Sequence, residues 1–169
     1  MPDESVVIRP ASPADVSDIA RLSEPFAADG LLIVRSSAQF RHRIEDYLVT
    51  VRGSRVLGCV GLTRLGSDVL LYNLCVAAEL QGQGIGSRMV AHADTLASHD
   101  GCRSLLAASR HAGRWFLRHG FTRIERHDVP PAWSALLPPG RLSQLYRRPV
   151  APSAGPPAFT STRQGAERS

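Results

Sequence analysis

Residues 81–86 read Gln-Gly-Gln-Gly-Ile-Gly, a glycine loop whose composition and surroundings favour the binding of phosphate groups. Before it, residues 69–76 form an apolar run with the length of a buried strand. After it, apolar residues recur at helical spacing up to residue 97, and Gly101 follows. Glycines let the backbone approach a ligand closely, and the free amides at a helix start attract anions. The glycine loop, with Arg88 one turn beyond it, therefore predicts a pyrophosphate site between a strand and a helix.

The residue types around the glycine loop exclude two common nucleotide-binding loops. A P-loop needs a lysine after its last glycine, and the sequence contains no lysine. A dinucleotide-binding turn follows the first strand of its fold, whereas this loop lies mid-chain after several predicted strands. An ordinary flexible connection is the remaining structural alternative. The pattern of Gln81, Gly84 and Gly86 resembles the acyl-CoA loop, Gln/Arg-x-x-Gly-x-Gly/Ala, of the GNAT-type N-acetyltransferases.

Length and composition predict one small cytoplasmic domain. The chain has 169 residues, of which 43% are hydrophobic, which is enough for one core. No apolar run approaches the ~20 residues of a membrane span, and the acidic N-terminus lacks a signal-peptide pattern. The three cysteines are scattered and odd in number, which predicts reduced, mostly buried thiols. They are Cys59, Cys75 and Cys102.

The positive charge favours small anionic partners over nucleic acid. The formal net charge is +5, and the basic residues are all arginines. No basic run is interleaved with aromatic residues, so we expect neither nucleic-acid nor membrane binding. Attraction of an anionic cofactor and an anionic small-molecule substrate is the milder inference, and a homodimer is compatible with the sequence. The six histidines show no metal-ligand spacing, so no metal is expected.

Helix and strand patterns alternate along the chain. Strands are predicted at residues 5–9, on both sides of the turn at 52–55, at 69–76, at 103–108, after Gly120 and at 141–147. Helices are predicted at about 12–22, from Ser36 or Ser37 to about 47, from 85 to about 97 and at about 111–119, with loops at 25–34 and 130–139. Residues 149–169 are rich in proline, glycine, serine and alanine, which predicts a disordered tail after a domain of residues 1–148.

The order of these elements resembles the GNAT fold over residues 5–148. A closer resemblance, to the acetyltransferase domain of N-acetylglutamate synthase, is carried by three separate segments. Residues 30–36 read Gly-Leu-Leu-Ile-Val-Arg-Ser, residues 115–122 read Trp-Phe-Leu-Arg-His-Gly-Phe-Thr, and residues 141–143 read Arg-Leu-Ser. The resemblance implies an α/β fold with a central mixed sheet flanked by about four helices, in the short, single-domain form of the family.

That resemblance also implies an activity and a set of site residues. The expected reaction is transfer of acetyl from acetyl-CoA to the α-amine of glutamate in arginine biosynthesis, by direct attack without an acyl-enzyme. The residues expected to bind acetyl-CoA are Leu74, Cys75, Val76, Gln81, Gly82, Gln83, Gly84, Ile85, Gly86 and Ser87. The residues expected at the amino-acid substrate are Arg35, Cys75, Arg141 and Ser143, because a guanidinium pairs with a carboxylate. Tyr72 and Ser109 are the catalytic candidates.

Three positions depart from the family pattern and keep alternatives open. Val34 replaces the first of two arginines, Tyr72 replaces the glutamate proposed as the base, and Phe116 stands where many GNAT enzymes place a tyrosine. An unperturbed tyrosine is a poor base at neutral pH, so a water held near Tyr72 is the alternative proton acceptor. Acetylation of another small amine or of a protein N-terminus remains an alternative function, as does a non-catalytic acyl-CoA-binding module.

Overall fold

The computed structural model describes residues 5–140 and 142–152, and within them one mixed sheet carries seven strands. The strands are β1 (Val7–Pro10), β2 (Tyr47–Arg52), β3 (Arg55–Leu65), β4 (Asp68–Val76), β5 (Ser104–Ser109), β6 (Thr122–Ile124) and β7 (Gln144–Pro149). The helices are α1 (Val16–Ala28), α2 (Ser37–His42), α3 (Ile85–His99), α4 (Gly113–Arg118) and α5 (Pro131–Ser134). The strand order is β1-β2-β3-β4-β5-β7-β6, so the predicted α/β architecture with a mixed sheet is confirmed.

β2, β3 and β4 form an antiparallel meander because short turns join them, and β1 pairs antiparallel with β2 after the segment that contains α1 and α2. Gly53 and Gly66 occupy these turns with φ values of 58° and 63°, the left-handed region that side chains rarely adopt. By contrast, α3 crosses over between β4 and β5, and these two strands are therefore parallel. The glycine loop lies at the start of this crossover, between β4 and α3.

β4 and β5 separate soon after they pair. Their register covers only Asp68 with Ser104, Val69 with Leu105 and Leu70 with Leu106. On its other edge, β5 pairs with β7 along its whole length, so only the edge of β5 that faces β4 is left partly unpaired. The two strands diverge beyond Leu70 and leave a cleft in the middle of the sheet.

Apolar residues cover both faces of the sheet. On one face, α3 buries Met89 and Ala93 against Leu105, Phe116 and other residues of one large cluster. On the opposite face, α1 and α2 bury a second cluster that includes Ile19, Phe40, Tyr47, Val49 and Cys59. Burying a side chain of this size contributes roughly 1.5–3 kcal/mol, so both faces hold the sheet that frames the cleft.

Several predicted boundaries were wrong. α1 continues through Pro25 to Ala28, because a proline removes only one hydrogen bond from a helix that is otherwise packed on the sheet. α2 ends at His42, and Tyr47 begins β2 instead of lying on a helix. α5 forms inside the predicted loop at residues 130–139, where Pro131 suits its first turn and Trp133 is buried.

The domain boundary at residue 148 was also placed too early. β7 ends at Pro149, and the amide of Val150 donates a 2.8 Å hydrogen bond to the carbonyl of Arg103. Ser98 then donates a 2.7 Å hydrogen bond to the carbonyl of Ala151. Residues 150 and 151 therefore belong to the folded domain, whereas the predicted tail at 153–169 lies outside the described residues.

Candidate active site

The glycine loop presents open backbone at the start of α3. Gly84 is the residue before the helix and has a left-handed φ of 82°, while Gly82 has a φ of 79°. No atom lies within 4 Å of the position that a Cβ would take at either glycine. The first amides of a helix lack partners within the helix and carry a partial positive charge, so this exposed loop can bind an anion.

A cavity of about 800 Å³, the loop cavity, lies between the glycine loop, the second half of β4, the end of β5 and α4. Nearly all residues predicted to bind acetyl-CoA line it. They are Leu74, Cys75, Val76, Gln81, Gly82, Gly84, Ile85, Gly86 and Ser87, and the catalytic candidate Ser109 lines it as well. Gln83 is exposed in the loop but does not line the cavity.

α4 supports the start of α3 from behind. The Trp115 ring packs so closely on Gly86 that a Cβ there would lie 3.1 Å from Trp115 Cζ2. His119 Nδ1 lies 2.7 Å from the carbonyl oxygen of Trp115, so this nitrogen donates. His119 Nε2 is then left to accept the hydrogen bond that joins it to the Ser87 hydroxyl. These contacts fix the helix start that the predicted anion would contact.

β4 carries a bulge where it borders the cleft. Cys75 pairs with Cys59, but Tyr72 pairs with Gly61, so β4 has one residue more than β3 between these pairs. Asn73 lies in this interval with a φ of 51° and is the one non-glycine residue with positive φ among those that the structure describes. Asparagine tolerates this conformation better than most residues, and a bulge leaves backbone groups unpaired. The bulge at Asn73 therefore lies directly before Leu74, Cys75 and Val76, the β4 residues that the resemblance predicts to bind acetyl-CoA.

A second cavity, of about 590 Å³, lies on the other side of the bulge and is called here the Arg35 cavity. Arg35 and Ser143, both predicted to bind the amino-acid substrate, line it together. Arg43 and Asp46 add further charged groups, and residues of the α5 segment such as Trp133 form an apolar wall. Arg141, the third predicted substrate ligand, lies outside the described residues, so its role stays a prediction.

The guanidinium of Arg35 is held in place at the floor of this cavity. Its Nη1 donates hydrogen bonds to the Asn73 side-chain oxygen at 3.2 Å and to the Ile33 carbonyl at 3.3 Å. Its Cζ lies 5.3 Å from the centroid of the Tyr72 ring, an arrangement that favours a cation. Asn73 is itself fixed, because its amide donates a 2.9 Å hydrogen bond to the hydroxyl of Ser23 in α1. The side chain is therefore a preorganised cation at a half-buried position.

Tyr72, the residue at the place of the expected base, has a carboxylate partner that the sequence did not reveal. Its hydroxyl donates a 2.7 Å hydrogen bond to Asp46 Oδ2, and Arg43 Nη1 lies 3.6 Å from the same oxygen. Burial, together with this hydrogen bond, raises the pKa of Tyr72. Tyr72 is thus a neutral phenol at physiological pH, and it does not act as a preformed tyrosinate.

The two cavities meet at the bulge. Six residues line both of them, and these are Leu31, Leu32, Leu71, Tyr72, Asn73 and Ala108. Tyr72 and Asn73 are the polar members of this set, and Asn73 already uses its amide to hold Arg35 and Ser23. A ligand at the glycine loop and a ligand beside Arg35 would therefore meet beside Tyr72 and Asn73.

Two further predicted residues have structural partners. Ser109 Oγ accepts hydrogen bonds from the amides of His111 and Ala112, at 3.3 and 2.9 Å, and so shapes the turn into α4. Cys75 Sγ lies 3.6 Å from Cys59 Sγ, and both thiols are free and buried. Contact with Cys75 and burial raise the pKa of Cys59. A catalytic role for Ser109 and substrate contacts of Cys75 stay predictions.

The described residues lack both a cluster of metal ligands and a membrane-spanning helix. Residues 5–140 and 142–152 contain no group of three or more histidine, cysteine, aspartate or glutamate side chains that could hold a metal ion. None of the helices in these ranges has both the length and the apolar character needed to cross a membrane.

Comparison with known proteins identifies the family. Residues 43–123 match the family model of the acetyltransferase (GNAT) domain, a segment that contains the bulge, the glycine loop and α4. An uncharacterized N-acetyltransferase of Chlorobaculum tepidum is 28% identical over 131 residues, which are 77% of this chain and 84% of the relative. An amino-acid acetyltransferase of Ralstonia nicotianae is 30% identical over 125 residues, which are 73% of this chain and 28% of the relative.

A solved structure agrees with the sequence comparison. N-acetylglutamate synthase from Neisseria gonorrhoeae, complexed with coenzyme A and N-acetyl-glutamate, superposes with a TM-score of 0.83 at 27% identity. The match covers 87% of this chain and 35% of the synthase. The chain thus spans about a third of the length of the amino-acid acetyltransferases that it matches. It contains an acetyltransferase domain of the GNAT family that is homologous to the acetyltransferase domain of N-acetylglutamate synthase.

Proposed function

We propose that this chain transfers the acetyl group of acetyl-CoA to the α-amine of an amino acid, with L-glutamate as the acceptor. The observation that carries the proposal is the meeting of the loop cavity and the Arg35 cavity at the β4 bulge. One cavity ends at a helix start suited to a pyrophosphate, and the other contains a fixed guanidinium suited to a carboxylate. Such a pair of sites brings an acyl donor and an anionic acceptor to one point.

The loop cavity fits acetyl-CoA. The space at Gly82 and Gly84 that a Cβ would fill is open, so the backbone can approach a pyrophosphate without steric conflict. The amides at the start of α3, including that of Ser87, would hold the phosphates, and β4 around Cys75 would line the pantetheine arm. When bound, acetyl-CoA supplies an activated thioester, while the chain holds it in position.

The charges of the Arg35 cavity favour an anionic acceptor. Among the described residues that line it, Arg35 and Arg43 are cations, whereas Asp46 is the single carboxylate. Asp46 is engaged by Tyr72 and Arg43, so it is not presented alone to a polyamine or an aminoglycoside. A guanidinium at Arg35 can pair with the carboxylate of an amino acid, and Ser143 lines the same cavity.

The choice of glutamate as the acceptor rests on two observations. These are the homology to N-acetylglutamate synthase and the excess of arginine over carboxylate side chains among the described residues that line the Arg35 cavity. With glutamate as acceptor, the reaction would be the first step of arginine biosynthesis. Other α-amino acids share the carboxylate that Arg35 would bind, so the acceptor panel must include them.

Release of free thiol from acetyl-CoA tests the proposal. The protein is incubated with acetyl-CoA and, separately, with glutamate, other amino acids, spermidine, an aminoglycoside and a short peptide, and a mixture without acceptor gives the background. We expect amino-acid-dependent thiol release that is fastest with glutamate. Preference for a cationic amine or a peptide over every amino acid would contradict the proposal. Acetyl-CoA binding without thiol release for any acceptor would instead indicate a binding module.

A further inference from the structure

We propose that Asp46 accepts the proton that the acceptor's ammonium group must lose, and that it does so through the hydroxyl of Tyr72. The inference rests on the proposed function, because it concerns the same acetyl transfer. An ammonium group has no free electron pair and cannot attack a thioester, so a proton acceptor near the reacting atoms is required. Neither the family resemblance nor the sequence pattern assigned this task to Asp46.

Tyr72 is in the right place to receive the proton. It lines both cavities, and the other polar residue that does so, Asn73, is occupied by Arg35 and Ser23. The Tyr72 hydroxyl donates its own hydrogen to Asp46 at 2.7 Å, which leaves the lone pairs of that oxygen to accept a hydrogen bond from an ammonium group. A tyrosine whose proton is already directed at a carboxylate can accept one proton as it passes on another.

The transfer balances without a net change in Tyr72. One N–H proton moves to the Tyr72 oxygen while the Tyr72 O–H proton moves to the Asp46 carboxylate. The acceptor becomes a neutral amine with a free electron pair, and Asp46 becomes a carboxylic acid. The amine nitrogen then forms the C–N bond, the C–S bond breaks, and the second amine proton leaves on the CoA thiol. The Asp46 side chain is 26% exposed, so its proton can pass to solvent.

Two arginines, a neutral tyrosine and a histidine surround the pair. Arg43 lies 3.6 Å from Asp46 Oδ2, and Arg35 lies over the Tyr72 ring. Tyr47 contacts the Tyr72 ring edge-on at 5.4 Å between centroids, and burial raises the pKa of Tyr47, so this neighbour stays neutral. His42 lines the same cavity. No second carboxylate lines it among the described residues, so Asp46 is the acceptor within reach of Tyr72.

A purely structural alternative also explains the contact, since the hydrogen bond ties the turn before β2 to β4. The two roles differ in their dependence on pH. A relay is needed while the acceptor is an ammonium ion, and it becomes unnecessary once the pH exceeds the pKa of the acceptor's amine. A structural tie would affect the rate by the same factor at every pH.

The experiment compares kcat and KM across pH for the wild type, Asp46→Asn, Asp46→Glu, Tyr72→Phe and the double variant Asp46→Asn/Tyr72→Phe, with the best amine from the acceptor panel. Glu45→Gln is the matched control, because it removes an exposed carboxylate at the neighbouring position that does not line the cavity. Thermal unfolding of each variant shows whether it is folded.

We expect Asp46→Asn and Tyr72→Phe each to lower kcat at pH 7 on the order of 10²-fold or more, the usual size of an acid–base contribution. The double variant should lose no more than the larger single loss, because both residues serve one relay. The deficits should shrink as the pH rises through the amine pKa, and Asp46→Glu should retain part of the activity. The KM for acetyl-CoA and the behaviour of Glu45→Gln should stay at wild-type values.

Two results would overturn the relay while the proposed function stands. These are a folded Asp46→Asn variant with wild-type kcat at pH 7, and a variant that loses the same factor at every pH. If the panel identifies an amine that is not an amino acid, the proposed acceptor is wrong, and the relay is tested on that amine with the same variants. A wild-type protein that acetylates no amine would overturn both.

Discussion

Nη1 of Arg35 lies 3.2 Å from the side-chain oxygen of Asn73, so the cation of the Arg35 cavity is fastened to the bulge of β4. The same Asn73 donates to Ser23 in α1, which joins three parts of the fold at one amide. Because this amide lies where the two cavities meet, one local structure would set the positions of both the acceptor's carboxylate and the acyl group under the proposed function.

Loss of the Arg35 cation should weaken binding of the amino-acid acceptor without weakening binding of acetyl-CoA. Arg35→Gln removes the charge that would pair with a carboxylate, and a hydrogen bond to a charged group contributes about 1.5–3 kcal/mol. We expect the KM for the amino acid to rise roughly 10- to 150-fold, while the KM for acetyl-CoA stays within about twofold. Steady-state kinetics with each substrate varied in turn give the measurement. Arg41→Gln, on an exposed residue of α2 outside the cavity lining, is the control. Equal effects on both KM values would argue against the assignment.

A negative charge at the glycine loop should disrupt binding of acetyl-CoA. Gly84→Asp places a carboxylate at the start of α3, where a pyrophosphate would lie, and Gly84→Asn places a neutral side chain of the same shape there. Both tolerate a left-handed backbone similarly, so the difference between them isolates the charge. Titration calorimetry should give at least about a tenfold weaker Kd for the aspartate variant than for the asparagine variant. Similar Kd values for these two variants and the wild type would place the pyrophosphate elsewhere.

Because of the ion pair between Arg9 and Asp15, the free energy of unfolding should decrease at acidic pH. Asp15 is 6% exposed and accepts hydrogen bonds of 2.8 and 2.9 Å from Arg9, which, with the amide of Ser12, lower its pKa. A carboxyl whose pKa is lower in the folded state stabilises the fold above its unfolded pKa, and this contribution is lost as the pH falls below about 4.

Asp15→Asn should lower the free energy of unfolding at pH 7 by about 1–2 kcal/mol. This value is smaller than that of a fully buried ion pair, because solvent around the partly exposed Arg9 side chain screens the attraction. It should also flatten the dependence of stability on pH below about 5, as measured by urea unfolding at a series of pH values. Asp18→Asn breaks an exposed pair with Arg21 and should change little. An unaltered acid dependence in Asp15→Asn would show that other carboxyl groups control it.

The residues directly after β7 should contribute to stability, so two truncations that differ only in these residues should differ in Tm. A chain that stops after residue 148 loses the Val150 amide, its packing on the core and the bond from Ser98 to Ala151. We expect this chain to lose about 1–3 kcal/mol of stability, visible as a lower Tm, whereas a chain that stops after Pro152 should match the full protein in Tm and activity. Equal Tm values for the two truncations would mean that the contacts of residues 150 and 151 contribute nothing.

The sequence predicted the glycine loop and its flanking elements well because their signals are local. The loop, the strand before it and the helix after it lie within about 30 residues, and each has its own periodicity or glycine pattern. Asn73 carried a weaker local signal, since a polar residue with αL tolerance interrupts an apolar strand.

Asp46 could not be found in this way. It reaches Tyr72 only because β2, β3 and β4 pair side by side, so its role depends on register and not on neighbouring residues. The short pairing of β4 with β5 is likewise a matter of register between two strands that the whole of α3 separates in the chain. Long-range pairing of this kind leaves no mark in a short window of sequence.

β4 and β5 pair over only three residues, so the sheet consists of two parts, β1 to β4 and β5 to β7, that are joined by a short contact. A molecule in the loop cavity would lie between these two parts, where β4 and β5 are unpaired. One wall of the cavity is formed by β4 and the other by β5. A bound molecule would contact both walls and so stabilise the position of one part of the sheet relative to the other. Saturation with acetyl-CoA should then slow amide exchange in the unpaired halves of both strands, including amides far from the pyrophosphate. In this domain, the acyl donor would stabilise the sheet as well as take part in the reaction.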